Sequence, residues 1–157
     1  MKPNIGITNQ NLKKVTEILS AILADGMVLY IKTRKFHWNV AGESFMEYHK
    51  LFEEQYKKLE EAIDEIAERI SKFGSMAIGT TTEFSELSQL KESPGKNPSA
   101  KDMMKELLED HETVIKTLRE KIDECDEKLK DAGTADFLTG LMEEHETIAW
   151  TLRRYLS

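Results

Sequence analysis

With 157 residues, 39% of them hydrophobic and 32% charged, the chain is long enough to bury a core and too apolar to be disordered by composition. Its net charge of -7 and isoelectric point near 5.2 argue against purely electrostatic capture of nucleic acid or of an anionic membrane, and favour attraction of cations. The lone Cys125 rules out an intrachain disulfide framework, no apolar run approaches the roughly 20 residues that span a bilayer, and Met1 to Ser20 holds no signal-like apolar segment, so a cytoplasmic single domain over residues 1–157 is expected.

After a short segment at 1–8, Leu12, Val15, Leu19, Ile22 and Leu23 recur at helical spacing and predict helix one over about 9–38. Gly42 interrupts it, and Ser44 with Glu47 reads as a capping box opening helix two, about 44–73. Its seam is Phe52, Tyr56, Leu59, Ile63, Ile66 and Ile70, and Gly74 suits the position just past its end. Gly79, a threonine run, Pro94, Gly95 and Pro98 then break the pattern, leaving room for a short helix between Thr82 and Leu90. Ser99 with Asp102 opens helix three, about 99–132, with the stripe Met104, Leu108, His111, Ile115, Leu118, Ile122, Cys125 and Leu129 ending near Gly133. Thr134 is expected to cap helix four, 134–156, which carries Leu138, Leu141, His145, Ile148 and Leu152 on one face. Four long amphipathic helices with short first and third links and a long middle one define an all-α four-helix bundle with a crossover, the arrangement of ferritin-like folds.

The chemistry concentrates in helix two and the residues before it. His49 and Glu53 are four residues apart, as are Asp64 and Glu68, so each pair projects from one side of the helix and can grip one cation. Bundles that hold two irons within a chain show Glu-x-x-His on two helices, whereas the residues three before His37, His49, His111 and His145 are Arg34, Met46, Leu108 and Met142. Glu53 and Asp64 also lie roughly 16 Å apart along the axis at about 1.5 Å per residue, too far to share a metal centre. One chain therefore supplies two half-sites, and an antiparallel second copy of the helix would bring His49 and Glu53 of one chain opposite Asp64 and Glu68 of the other. Imidazole with carboxylate suits Fe(II), Zn(II) or Mn(II).

The motifs FHWNV, HKLFEEQY and IDEIAER, with GSMAIGT after helix two and TADFLT opening helix four, resemble the Dps family of mini-ferritins over nearly the whole chain. That resemblance implies a dodecameric cage built from two-fold dimers. It also implies a ferroxidase that oxidises Fe(II) with hydrogen peroxide or O2 at the subunit interface and stores ferric mineral inside, protecting against oxidative stress. Zinc or another divalent ion could stand in for iron. By motif, His37 and His49 would be ligands from one subunit and Asp64 and Glu68 from the other, with Trp38 close by; Glu53 stands where Asp is common in the family. The resemblance also implies an acidic three-fold channel admitting iron, with Asp136 the best match and Glu127 and Asp131 further candidates.

The rival reading is a nucleoid-compacting DNA-binding protein with incidental iron affinity. Only Lys2 precedes helix one, with Lys13 and Lys14 inside it, and without a lysine-rich arm DNA binding is expected to be weak or absent. A plain helical interaction module is the third reading. His111 and His145, on core stripes, are expected to make internal hydrogen bonds. Their distances from the Gly133 turn differ by about ten residues, roughly 15 Å, so they are not expected to pair with each other. Trp150 and the methionines read as packing, and Cys125 as a small buried hydrophobe.

Overall fold

The structure, a computed structural model, describes residues 3–157; Lys2 lies outside the described residues. Helices α1 (Asn9–Asn39) and α2 (Phe45–Lys72) are followed by the short α3 (Thr81–Leu87), then α4 (Ala100–Asp123), which passes into a π-helical turn (Glu124–Lys128), and α5 (Ala132–Leu156). No strand occurs among the described residues.

Side-chain contacts fix the direction of each helix. His37 meets His49 and Thr16 meets Ser75, so α2 runs antiparallel to α1. Lys32 pairs with Asp110 and Asn11 donates to the carbonyl of Leu129, so α4 is also antiparallel to α1. Arg69 reaches Thr134 and Tyr155 reaches Glu47, which sets α5 against α2. The order up, down, down, up requires the link from α2 to α4 to travel the length of the bundle, as the crossover reading expects. Asp25, buried on α1, anchors that link by accepting from the Ser88 hydroxyl and from both the backbone and side-chain amides of Gln89.

Several helix ends differ from the sequence expectation. Ser44 makes no side-chain cap bond, its backbone (φ -99°, ψ 29°) lying outside the extended region that caps adopt, and the Glu47 carboxylate accepts from the Tyr155 hydroxyl at 2.9 Å. A reciprocal capping box forms at Thr80 and Glu83, starting α3. Gly74 does take the left-handed conformation past α2 (φ 73°), with its own N–H and that of Ser75 returning to Ser71 and Ile70. Helix three does not run to 132. The α-helix yields to the π turn after Asp123, Lys130 rather than Gly133 turns left-handed (φ 57°), and Asp131 rather than Thr134 caps the next helix. The Asp131 carboxylate accepts from the Thr134 N–H at 2.9 Å and from its hydroxyl at 2.5 Å, while the Thr134 oxygen accepts from Arg69 Nε.

Moving the turn from Gly133 to Leu129–Asp131 corrects another expectation. Counted from the new turn, His111 and His145 differ in distance by about four residues rather than ten, and their side chains bridge the offset: their Nδ1 atoms lie 2.8 Å apart. The pair divides the core. Val114, Leu118, Leu141 and Met142 belong to one apolar cluster with the first half of α1, and Leu107, Ile148 and Leu152 to another with Leu29, Phe36 and Phe52.

Candidate metal centre

The α1–α2 corner builds the first half-site. His37 occupies the last turn of α1, and the five-residue link Val40–Ser44 turns the chain so that His49, just inside α2, lies against it. The rings stack with centroids 3.8 Å apart and 21° between planes. Nδ1 of His37 is 2.7 Å from the carbonyl oxygen of His49, and Nδ1 of His49 is 2.9 Å from the carbonyl oxygen of His37. A carbonyl can only accept, so each Nδ1 carries a proton, and the tautomer this selects leaves Nε2 as the atom free to take a metal. This is the outer-shell arrangement that orients metal-ligating histidines, here with the main chain as orienter.

Glu53 lies one turn on from His49, bound to Lys57 at 2.5 Å. That ammonium holds the carboxyl below the usual glutamate range, and His37 and His49 act in the same direction, which places the carboxylate within their field. Tyr56 stands edge-on to His37 at 5.2 Å and Phe45 lies 5.1 Å from His49, giving aromatic walls. Arg34 spreads over Tyr56 (4.3 Å), Tyr30 (5.4 Å) and Trp38 (5.6 Å), and donates to the Tyr30 hydroxyl. Trp38 itself is 65% exposed, and Arg34 links its ring to Tyr56, which stands against His37. Arg34, Tyr56, Phe45 and Lys57 were missed from sequence. Tyr56 read as a seam residue, and only the i, i+4 spacing of Glu53 and Lys57 could have signalled their contact.

Asp64 and Glu68 stay away from this cluster. Both are exposed further along α2, Glu68 within 3.8 Å of Lys72, and Asp64 on a groove of about 580 Å³ whose other walls include Met27, Tyr30 and Ile63. Among the described residues no three His, Cys, Asp or Glu side chains converge as a metal site. Of the three channel candidates, Glu127 and Asp136 are exposed. Asp131 is 4% exposed, caps α5, and lies 3.9 Å from the Arg69 guanidinium, so within one chain its carboxylate is engaged by protein groups.

The crossover bundle, with imidazoles where α1 meets α2 and carboxylates along α2, has the architecture of the ferritin-like proteins, and the ferritin-like domain family matches residues 16–157. The DNA protection during starvation protein (Dps) of Helicobacter pylori is 38% identical over 107 residues, 68% of this chain and 74% of that one. An uncharacterized low temperature-induced protein of Nostoc is 48% identical over 132 residues, 84% and 74% of the two chains. The crystal structure of Dps from Vibrio cholerae, described as a ferritin-like diiron-carboxylate protein, superposes with a TM-score of 0.93 at 28% identity, covering 99% of this chain and 97% of that one. Dps from Bacillus brevis gives 0.90 at 32% identity, covering 96% and 100%. The chain belongs to the Dps family. No helix among the described residues is long and apolar enough to cross a membrane.

Proposed function

We propose that this protein is a ferroxidase and iron store whose catalytic unit is a two-fold dimer within a dodecameric cage. The observation that carries the reading is the His37–His49 pair: two imidazoles whose Nδ1 protons are committed to main-chain carbonyls, beside a carboxylate, in a half-site that a single chain does not complete. Fe(II) is the substrate. His37, His49 and Glu53 of one subunit would receive it together with Asp64 and Glu68 of the next, the helix axis holding these halves too far apart to meet within one chain. Two Fe(II) give one electron each to hydrogen peroxide, which takes up two protons and leaves as two waters; the Fe(III) hydrolyses and is stored as mineral. Removing both peroxide and Fe(II) removes the reagents that make hydroxyl radicals, so DNA would be protected without being bound tightly, in keeping with the net charge of -7.

Anaerobic Fe(II) loading followed by one peroxide per two irons tests this in wild type and in Asp64→Ala. Wild type should oxidise its iron rapidly and the variant at the uncatalysed rate. Unchanged oxidation in the variant removes the interfacial assignment, and a monomer by light scattering removes the cage.

A further inference from the structure

The function proposed above makes no use of a deeply buried pair of histidines between α4 and α5. His111 is fully buried and His145 is 8% exposed, their Nδ1 atoms are 2.8 Å apart, and their ring centroids are 4.9 Å apart. Such a contact needs one N–H and one lone pair, so a single proton lies between the facing nitrogens. An added proton must first go to an Nε2, and on His111 that atom is buried without a partner. A second must go to the remaining Nδ1, which would set two donors and two positive charges against each other across 2.8 Å in the centre of the core.

Among the described residues no carboxylate acts on either ring. On α1, Asp25 is engaged by Ser88 and Gln89, and Lys32 is paired with Asp110 of α4 at 2.5 Å. Glu112 of α4 is paired with Arg153 of α5. On α2, Glu61 and Glu65 share a groove with Glu144 of α5, on which Lys58 also acts. The α3 carboxylate Glu83 caps its own helix. Burial is the first influence on both rings and lowers both, His145 to about 4; the one charge acting on His111 is His145, which lowers it further.

We propose that the His111–His145 pair is an acid-released fastener between α4 and α5, closed while both rings are neutral and forced open in mild acid, loosening the bundle at the junction of its two apolar clusters. Imidazoles of the unfolded chain protonate near pH 6.5, whereas these rings resist protonation while folded. Between pH 6.5 and about 4 the unfolded state therefore holds more protons, and stability falls as the pH falls. Each ring lowers the folding equilibrium about tenfold per pH unit inside that window, and the loss is absent above it.

Two measurements on the full-length assembled protein test this. Urea unfolding at fixed protein concentration between pH 7.5 and 5 should show the wild-type folding constant falling more steeply than that of the His111→Leu/His145→Leu variant, by about 100-fold per pH unit at the steepest. Equal pH slopes overturn the proposal. Should the double variant not fold, hydrogen exchange at each imidazole C2, read by mass spectrometry in wild type, follows protonation residue by residue. Rings that stay unprotonated at pH 5.5 in the folded protein support the fastener; protonation of both near pH 6.5 without unfolding overturns it.

Discussion

His37 and His49 hold each other's rings through the main chain, the carbonyl of each receiving the Nδ1 of the other within 2.9 Å. The orienting acceptors are backbone atoms, so they survive truncation of either side chain. His49→Ala should leave His37 in its ligand tautomer while deleting one donor and the stacked face. Co(II) affinity, followed by its visible spectrum without any oxidation step, should fall at least tenfold, the scale on which ligand environment acts. Urea stability should change little, since His49 is partly exposed. A variant that binds Co(II) as wild type does would show that His49 is not a ligand.

Glu53 enters the site already bound to an internal cation. Lys57 must give up the carboxylate before a metal takes it, so Lys57→Met should raise divalent-ion affinity about two- to threefold at pH 7, in line with the modest strength of i, i+4 pairs. The sign with pH is defined. Lys57 holds the Glu53 carboxyl low, and without it the carboxyl should return toward the ordinary glutamate range. Competition by protons should then begin at a higher pH in the variant. Co(II) titrations from pH 7 to 4.5 read both effects, and a variant weaker than wild type at pH 7 would mean that Lys57 aids binding.

Asp131 separates a structural from a channel role. It caps α5 through Thr134 and meets Arg69, whose guanidinium lies over Phe73 and Phe137. Asp131→Ala removes a cap and leaves Arg69 short of a partner, so unfolding free energy should fall by about 1–3 kcal/mol. The rate of iron uptake in intact protein should be unchanged. Slower uptake at unchanged stability would restore Asp131 to the channel.

What the sequence disclosed here was whatever one helix determines alone. The four long helices and the crossover followed from periodicity, and the separation of His49/Glu53 from Asp64/Glu68 followed from rise per residue. Readings that depended on competition between partners went astray. Ser44 with Glu47 has the spacing of a capping box, yet Tyr155, over a hundred positions away, takes the glutamate. Gly133 and Thr134 looked like stop and start signals, but Asp131 is the stronger cap, and that shift of three residues is what let His111 and His145 meet. Gln55, buried with both amide atoms unpartnered, gave no signal in the apolar periodicity because its own side chain is polar.

An interfacial site has a consequence that no intrachain site shares. Take chains carrying His49→Ala and chains carrying Asp64→Ala, each inactive in its own cage, and reassemble them from an equal mixture. A mixed two-fold dimer contains one site with both defects and one site with neither, because the histidines of the second chain meet the carboxylates of the first. Random pairing makes about half the dimers mixed, so about a quarter of all sites should be intact. Peroxide-driven Fe(II) oxidation should return to about a quarter of the wild-type rate after reassembly, and not after mixing of intact cages. A reassembled mixture no more active than its parents would mean that His49 and Asp64 do not share one site across the interface.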